Sequence, residues 1–413
     1  MKKFHKLKQC RICSNQDLLL VLDLGEQPPA NSFLKKQKLK KTELKFPLRL
    51  FLCKKCFLLQ LIDIVDKKLL FSKYLYLTGA SKPIVNHFEK YAQDIHKKFL
   101  KDKKNPLVIE IGSNDGTLLK NFKKIHVSVL GIEPSKNIAK IANKSGIPTK
   151  NAFFTSDLIQ KLSLKRKATI IIANNVIAHI ENIRDVMVGI KLLLDDLGVF
   201  VFEVPYLVDL IKKIEFDTIY HEHLSYFLLF PLIKLMRDFE LEIFDVKKQK
   251  VHGGTIRVFV AKKNSFKVKQ SVKDMIMDEK IKGMYDFKIY QDFAKNVNSL
   301  KESLFAELKL LKKEGKRIFG YGATAKGNVL LNYCKIDTKI IDCIIDTTPL
   351  KHGLFTPGTH IPVESTKIIS TKGEGDVALL LAWNYQEEIL RKEKNFRKKG
   401  GKFLIPIPIP VIK

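Results

Sequence analysis

The chain has 413 residues, of which 45% are hydrophobic and 28% are charged, and this ordinary globular usage excludes a disordered or fibrous protein. The formal net charge of +31 suggests an anionic partner, but the lysines are spread in short pairs along nearly the whole chain, which indicates a solvated surface rather than a nucleic-acid patch. The basic N-terminus has no apolar run after it and no stretch is long enough to cross a bilayer, so we expect a cytoplasmic protein without membrane contact.

The first predicted element is a small N-terminal module, residues 1–65, with two Cys-x-x-Cys pairs. Its four cysteines are Cys10, Cys13, Cys53 and Cys56. Four thiolates at this spacing can close a tetrahedral zinc site, and a closed site suits a structural ion because it leaves no position for water. The lysine-rich stretch between the pairs has the composition of a loop, so we expect the module to have too little apolar core to fold alone.

A second domain is predicted over residues 66–265. A helical pattern from about 66 to 105 leads into strand-like runs that alternate with helical ones, which is typical of a doubly wound parallel sheet. The last two runs, 241–246 and 255–261, are joined by a short connection, so we expect the sheet to end in an antiparallel hairpin. A class I methyltransferase sheet has that hairpin, whereas a plain dinucleotide-binding sheet usually does not.

The turn Glu110–Gly116, with the sequence EIGSNDG, follows the first strand-like run and precedes a helical segment. Its glycines let the backbone approach a ligand, and Glu133 at the end of the next run can accept hydrogen bonds from ribose hydroxyls. Glu110 and Asp115 would repel a pyrophosphate but suit the cationic amino-acid portion of S-adenosylmethionine. An architectural turn is the alternative. The predicted cofactor residues are Glu110, Gly112, Asn114, Asp115, Gly116, Glu133 and Asn174.

The segment Tyr220-His221-Glu222-His223 follows the fifth strand-like run of this domain. It concentrates two imidazoles, a carboxylate and a phenol at the end of the sheet where ligands bind, and we interpret it as an acid/base site. We expect His221 to be structural. His179, after the fourth run, opens onto the same side of the sheet and adds a polar wall.

A third domain is predicted over residues 266–413. A polar stretch and a long helical segment at about 286–314 precede a second, smaller alternation over 316–410. The turn Gly320–Gly327, GYGATAKG, follows a strand and opens a helix, so its amides and Lys326 can cradle a phosphate group. Its third glycine comes too late for G-x-G-x-x-G. A diphosphate site is the most economical interpretation, and an NAD site or an architectural turn stays open.

These motifs together resemble the sugar C-methyltransferase family, which acts on nucleotide-linked deoxyketosugars. The resemblance runs over essentially the whole chain and is carried by CRIC, LDLGEQPPANSFL, FPLRLFLCKKC, EIGSNDGTLL, NNVIAHI, EVPY, YHEHLSYF, HGGTIRVF and GYGATAKGNVLLNYC. It implies an α/β protein: a Rossmann-like class I methyltransferase sheet, an N-terminal zinc-binding module, and a smaller C-terminal Rossmann-like unit that binds the nucleotide diphosphate.

The resemblance also assigns roles to single residues. The four cysteines would hold zinc, and His223 would be the general base, supported by Tyr220, Glu222, His179 and a tyrosine of the YLY segment, for which we take Tyr76 over Tyr74. The residues expected to contact the substrate are Tyr321, Lys326, Asn328 and His352. We expect S-adenosylmethionine-dependent methylation beside the 4-keto group of the sugar, at C3, through an enolate formed without a metal.

Three other functions stay open from the sequence. A nicotinamide-dependent sugar oxidoreductase would use the Gly320–Gly327 turn but would leave YHEH without a task. A zinc-ribbon RNA methyltransferase is favoured by the net charge, although clustered arginines and stacking aromatic residues are missing. A nucleotide-sugar-binding protein without activity is the third. We expect a monomer that binds a nucleotide-sugar substrate and no nucleic acid.

Overall fold

The N-terminal part of the chain is built on a small antiparallel sheet. The computed structural model describes residues 3–71, 77–162, 164–249 and 251–413. The first five strands are β1 Phe4–Lys6, β2 Leu18–Gln27, β3 Phe46–Cys53, β4 Leu59–Leu61 and β5 Asp63–Val65. Strands β1 and β5 pair with each other, and β2, β3 and β4 form a sheet whose fourth strand, β11 Ser225–Tyr226, comes from much later in the chain. The order of this sheet is β11-β4-β3-β2.

The prediction of a loop between the two cysteine pairs is wrong for much of that stretch, because β2 and all of β3 up to Cys53 lie there. The buried residues alternate along these strands as a strand with one covered face requires: Leu22, Leu24, Leu48, Leu50 and Leu52. These leucines belong to one continuous apolar core with residues of the following sheets. The module therefore packs as part of the larger molecule.

The middle of the chain forms a seven-stranded sheet. Its strands are β6 Leu107–Ile111, β7 Ser128–Ile132, β8 Thr149–Lys150, β9 Ala168–Asn174, β10 Leu194–Pro205, β12 Leu241–Gln249 and β13 Thr255–Lys262. Their order is β12-β13-β10-β9-β6-β7-β8, and the five neighbouring strands β10, β9, β6, β7 and β8 are parallel. Strand β13 lies antiparallel between β10 and β12. The predicted terminal hairpin, and with it the class I methyltransferase sheet, is confirmed.

Eight helices accompany these strands in the described part of the chain. They are α1 Lys67–Phe71, α2 Lys82–Ile95, α3 Thr117–Lys124, α4 Lys136–Lys144, α5 Ser156–Lys161, α6 Ile183–Leu193, α7 Leu207–Lys212 and α8 Leu229–Arg237. Helix α2 forms because Phe88, Tyr91 and Ile95 recur at helical spacing and bury one face against the sheet. Pro83 stands in its first turn, where a missing N–H costs nothing.

The C-terminal part of the chain forms a second, six-stranded sheet. Two helices precede it, α9 Gln270–Ile281 and α10 Phe287–Lys313. Its elements are β14 Arg317–Tyr321, α11 Ala325–Tyr333, β15 Ile344–Asp346, β16 Val363–Ser365, β17 Asp376–Leu380, α12 Gln386–Lys392, α13 Lys394–Lys398, β18 Lys402–Ile405 and β19 Val411–Ile412. The order is β16-β15-β14-β17-β18-β19, with β19 antiparallel. Among the described residues, no helix is both long and apolar enough to span a membrane.

Candidate active site

The four cysteines of the N-terminal module converge. Their Sγ atoms all lie within 4.8 Å of one another, with 3.6 Å between Cys10 and Cys56 and 3.5 Å between Cys13 and Cys53. Four zinc–sulfur bonds of about 2.3 Å arranged tetrahedrally would separate the sulfurs by about 3.8 Å. The cluster therefore fits a zinc ion, as the sequence predicted.

The two Cys-x-x-Cys turns have the same backbone geometry. In the first, the Ser14 N–H donates to the Cys10 carbonyl at 2.9 Å, and in the second the Phe57 N–H donates to the Cys53 carbonyl at 2.9 Å. Ser14 and Phe57 both adopt a left-handed backbone with φ of 58°. Each turn thus curls around its own pair of thiols and presents both of them to the same point, which is what a metal ion needs.

The turn after β6 has a shape that glycine makes possible. Gly112 has a φ of 65°, and a Cβ on it would lie 2.4 Å from Val176 Cγ2. Gly116 has a φ of 77° and precedes α3. Both positions require a left-handed backbone that favours glycine, and the turn lies at the carboxyl end of the parallel sheet, where ligands bind in sheets of this kind.

Three carboxylates surround this turn. Glu133, just after β7, accepts hydrogen bonds from the Asn114 N–H at 3.0 Å and the Ser135 N–H at 2.8 Å, so its side chain is held facing the turn. Burial and the neighbouring Asp115 raise the pKa of Glu110 well above its usual range, and Glu110 Oε2 has no hydrogen-bond partner among the described residues. A buried acceptor without a partner fits the cationic end of an amino-acid ligand. Asn174 is the last residue of β9, and its side chain lowers the pKa of Glu110, against the effect of burial.

The residues after the YLY segment dock on this turn. Asn114 Oδ1 accepts the Thr78 N–H at 3.0 Å, and Asp115 Oδ2 accepts the Gly79 N–H at 2.8 Å. Asn114 and Asp115 therefore help to build the turn itself. Tyr76 and Tyr74 lie outside the described residues, so the role of Tyr76 stays a prediction.

The segment after α7 brings a tyrosine and a histidine together. The Tyr220 hydroxyl lies 2.7 Å from His223 Nε2, and the two ring centroids are 3.9 Å apart. His223 Nδ1 lies 2.8 Å from the Thr218 carbonyl oxygen. A carbonyl only accepts, so Nδ1 carries the hydrogen, and in the neutral ring Nε2 accepts the Tyr220 proton. The basic lone pair of His223 is therefore Nε2.

His179 stands beside this pair. Its ring centroid is 4.8 Å from that of His223, at an interplanar angle of 90°. Burial lowers the pKa of His179 to about 4, so its imidazole is neutral at physiological pH. A neutral imidazole can donate or accept a proton in hydrogen bonding without bringing a charge next to His223.

The other two residues of YHEH face the N-terminal module. His221 Nε2 donates to the Phe46 carbonyl at 3.2 Å, and burial lowers the pKa of this histidine to about 4, which agrees with the structural role expected for it. Glu222 Oε1 accepts a hydrogen bond from Asn31 Nδ2 at 2.7 Å. The family resemblance implied that Glu222 supports His223, but the hydrogen bond found for Glu222 leads to Asn31.

Three of the residues expected to bind the nucleotide make hydrogen bonds within the protein, and among these three bonds only that of Asn328 reaches outside the C-terminal unit. The Tyr321 hydroxyl donates to Glu393 at 2.6 Å, Asn328 Nδ2 donates to the Ala30 carbonyl at 2.7 Å, and His352 Nε2 donates to the Asp346 carbonyl at 2.8 Å. Tyr321 and Asn328 are buried and His352 is partly buried, and the role of all three towards a substrate stays a prediction.

Lys326 has an acidic environment. Its Nζ lies 3.8 Å from Glu215 Oε2 and 5.1 Å from the centroid of the Trp383 ring, whose Nε1 donates to Asp217 at 2.7 Å. Burial raises the pKa of Glu215 to about 7, while Lys326 opposes that effect. A phosphate at this point would meet two carboxylates, so the ion pair favours a role for Lys326 at the interface, and its phosphate contact stays a prediction.

Sequence reasoning missed two residues that shape the site. Thr218 acts through its carbonyl, which any residue type possesses, so no sequence signal could have identified it. Asn31 lies in the QPPANSF stretch that carried part of the family resemblance, nearly two hundred positions from its partner Glu222. Only the fold brings the two together.

Comparisons with known proteins match all three parts of the chain. Family models described as "Putative zinc binding domain", "Methyltransferase domain" and "C-methyltransferase C-terminal domain" match residues 10–71, 85–246 and 250–408. The C-methyltransferase NovU of Streptomyces niveus is 35% identical over 406 residues, which cover 98% of this chain and 96% of NovU.

Solved structures match less than half of the chain and more distantly. Magnesium protoporphyrin IX methyltransferase from Synechocystis PCC 6803 with bound SAH is 14% identical, with 43% of this chain and 84% of that chain covered and a TM-score of 0.34. The plantazolicin methyltransferase BpumL, in complex with pentazolic desmethylPZN analog and SAH, is 13% identical, with 45% of this chain and 88% of that chain covered and a TM-score of 0.37.

Proposed function

Since this chain belongs to the C-methyltransferase family, we propose that it uses S-adenosylmethionine to methylate a carbon atom, C3, of a nucleotide-diphosphate 4-keto-deoxysugar. The observation that carries this proposal is the Tyr220–His223 pair with its Nε2 lone pair fixed by the Thr218 carbonyl. Carbon methylation beside a ketone needs a base of near-neutral strength, and an imidazole is the side chain suited to that task. With the family in hand, the oxidoreductase interpretation is abandoned.

The proton transfer follows from the tautomer of His223. We infer that Nε2 removes the proton next to the 4-keto group, so the C–H bond breaks and its electrons move into an enolate. The Tyr220 hydroxyl, which donates to Nε2 at 2.7 Å before reaction, turns to the developing enolate oxygen. The neutral His179 ring, 4.8 Å from His223, offers a second hydrogen bond without repelling the imidazolium that forms.

The turn after β6 and Glu133 would hold the methyl donor. When bound, S-adenosylmethionine supplies an electrophilic methyl group. Glu133 would accept hydrogen bonds from its ribose hydroxyls, and Glu110, whose buried Oε2 has no partner among the described residues, would face its ammonium group together with Asp115. Zinc on the four cysteines would be structural, since four thiolates fill its coordination sphere.

Proton exchange tests the proposal before any methyl group moves. The wild type is incubated in deuterated water with a 4-keto nucleotide sugar and S-adenosylhomocysteine, and deuterium uptake next to the ketone is followed by NMR. We expect uptake by the wild type and a loss of about a hundredfold or more in His223→Ala. His126→Asn, at an exposed histidine, is the matched control. Full exchange in His223→Ala, or a methyl group on a sugar oxygen in the complete reaction, would overturn the proposal.

A further inference from the structure

Residues 28–34 form a loop of the N-terminal module that contacts both larger units; we call it the bridging loop. Its Ala30 carbonyl accepts a hydrogen bond from Asn328 at the start of α11, at 2.7 Å. Its Leu34 exchanges two backbone hydrogen bonds of 2.8 Å with Phe355. The residue between these anchors that points the other way is Asn31, whose amide donates to Glu222 in the segment of the candidate active site.

Glu222 is a buried carboxylate, and one of its oxygens has no hydrogen-bond partner in the part of the chain that the structure describes. Its relative exposure is 2%, Oε1 accepts from Asn31 Nδ2 at 2.7 Å, and Oε2 is buried with no hydrogen-bond partner among the described residues. Burial raises the pKa of Glu222 to about 7, and the Asn31 amide opposes this effect. A buried acceptor without a partner is costly, so Oε2 is a position that a donor of a ligand can fill, on the residue that immediately precedes His223 in the chain.

The two histidines that flank Glu222 in the chain are hydrogen-bonded to backbone carbonyls. The adjacent titratable side chains are His221, bound to the Phe46 carbonyl on β3, and His223, bound to the Thr218 carbonyl. Burial and the Asn31 amide are the two influences that act on the pKa of Glu222. The bridging loop therefore supplies, through Asn31, the hydrogen bond that lowers the pKa of Glu222 against the effect of burial.

We propose that Asn31 is a positioning residue for the methyl transfer: by holding Oε1 of Glu222, it turns Oε2 towards the substrate, where it accepts a hydrogen bond from a sugar hydroxyl. The proposal rests on the proposed function for the identity of that substrate. Because Ala30 is held by Asn328, the C-terminal unit fixes the Asn31 amide through the neighbouring peptide group. A substrate bound by that unit would meet a carboxylate already in place.

Three variants measure this role in the complete enzyme with a 4-keto nucleotide sugar. Asn31→Ala removes the donor, and we expect kcat/KM to fall about tenfold, since a hydrogen bond to a charged group is lost. Asn31→Asp puts a second carboxylate against Glu222, so the loss is larger. Ser32→Ala, at the exposed neighbouring position, is the control and keeps wild-type activity. Wild-type activity in Asn31→Ala would overturn the proposal.

A pH profile separates positioning from a general loss of structure. In the dependence of kcat/KM on pH, the limb that is absent from Glu222→Gln is assigned to the titration of Glu222. Without the amide the pKa of Glu222 rises, so we expect Asn31→Ala to move this limb to higher pH by about one pH unit. A uniform loss of activity with an unmoved limb would overturn the proposal.

Thermal unfolding gives a readout that needs no substrate. The amide donates most strongly to the ionised carboxylate, so Asn31→Ala should lower the Tm more at pH 8.5 than at pH 5.5, where Glu222 is protonated. In a Glu222→Gln background the same substitution should lower the Tm equally at both pH values. Equal losses in the wild-type background would overturn the Asn31 proposal alone, whereas a wild type that does not methylate carbon would overturn the proposed function.

Discussion

The Tyr220 hydroxyl is the hydrogen-bond donor to His223 Nε2, the atom that has to accept the substrate proton. Tyr220→Phe removes the hydroxyl but keeps the ring that packs 3.9 Å from the imidazole. We expect kcat for methyl transfer to fall about a hundredfold, because the enolate oxygen loses a donor, while S-adenosylhomocysteine binding stays unchanged. Calorimetry and a rate measurement check the two halves of this prediction. An unchanged kcat would mean that another group stabilises the enolate.

Residue types with a narrow chemical use could be predicted from the sequence, and others could not. The Cys-x-x-Cys pairs predict a metal site because few other functions require that spacing. Asn31 gives no such signal, since an asparagine in a loop has many uses, and its importance arises from a hydrogen bond to a residue distant in the chain. Lys326 shows the converse: its Gly-rich surroundings suggested a phosphate, but the fold places Glu215 beside it.

At the scale of the cysteine turns, Ser14 provides a test of backbone strain. It adopts a φ of 58° at an exposed position, a conformation that costs a non-glycine residue roughly 1–2 kcal/mol. Ser14→Gly should raise the free energy of unfolding by about 0.5–1 kcal/mol, because the relief exceeds the entropy cost of glycine. Denaturant unfolding of the zinc-loaded protein measures it.

Phe57 occupies the equivalent position in the second turn and is the matched comparison. Its ring lies 5.8 Å from Phe287 and 5.5 Å from Tyr285, so Phe57→Gly loses packing as well as strain. We expect this variant to be less stable than the wild type by about 2 kcal/mol. Equal gains at both positions would show that the aromatic contact contributes little.

The small sheet joins the metal site to the candidate active site. Strand β11, which follows YHEH directly, pairs with β4, and the Leu61 N–H donates to the Leu224 carbonyl at 3.0 Å. Chelation of zinc should therefore reduce methyl transfer by more than tenfold at concentrations that leave S-adenosylhomocysteine affinity unchanged, since the cofactor turn belongs to a different sheet. Parallel loss of both properties would argue for global unfolding, and added zinc should restore activity.

Elements with a strong period were predicted well. Helix α10 was expected at about 286–314 and spans Phe287–Lys313, because its buried residues recur every three or four positions over 27 residues. Helix α9 was not expected, since its buried face consists of Val272, Met275 and Glu279 only. Strand β2 was missed because its leucines stand at consecutive positions, which hides the period of two.

For the molecule as a whole, the buried ion pair between Lys326 and Glu215 joins the C-terminal unit to the segment before YHEH. Lys326→Met removes the cation near the buried Glu215 and Asp217 and leaves Lys213, 3.8 Å from Glu215 Oε1, in place. We therefore expect a loss of about 3 kcal/mol in the free energy of unfolding. The second substitution Glu215→Gln should recover part of that loss. If Lys326→Met instead kept its stability and raised KM for the nucleotide sugar, the phosphate role would be restored.

The pH dependence of this pair has a definite sign. Burial raises the pKa of Glu215 to about 7 in the folded chain, above its ordinary value of 4.5. Its contribution to stability is therefore present below about pH 4.5 and is lost as the pH rises through 7. Replacing Glu215 by glutamine should flatten this part of the stability profile, which thermal unfolding between pH 5 and 8 measures.

The division of the chain into two similar α/β sheets was predictable, because the alternation of strand and helix is visible twice along the sequence. Their common order was not. Five neighbouring strands have the same order in both sheets, β8-β7-β6-β9-β10 in one and β16-β15-β14-β17-β18 in the other. In each set of five, the strand that comes first in the chain is in the centre, and the fourth strand in the chain is next to it. The pairing of strands depends on contacts between distant segments, which local patterns do not encode.

Strand β11 has a consequence for how a ribosome makes this enzyme. The three earlier strands of its sheet, with all four thiols, leave the ribosome long before Ser225 and Tyr226 are synthesised. During that interval β4 exposes an unpaired edge to solvent, and such an edge is prone to pair with the wrong partner. The sheet of the metal-binding module is complete only once β11 has been made, so we expect the yield of active enzyme to depend on the rate of translation between β5 and β11.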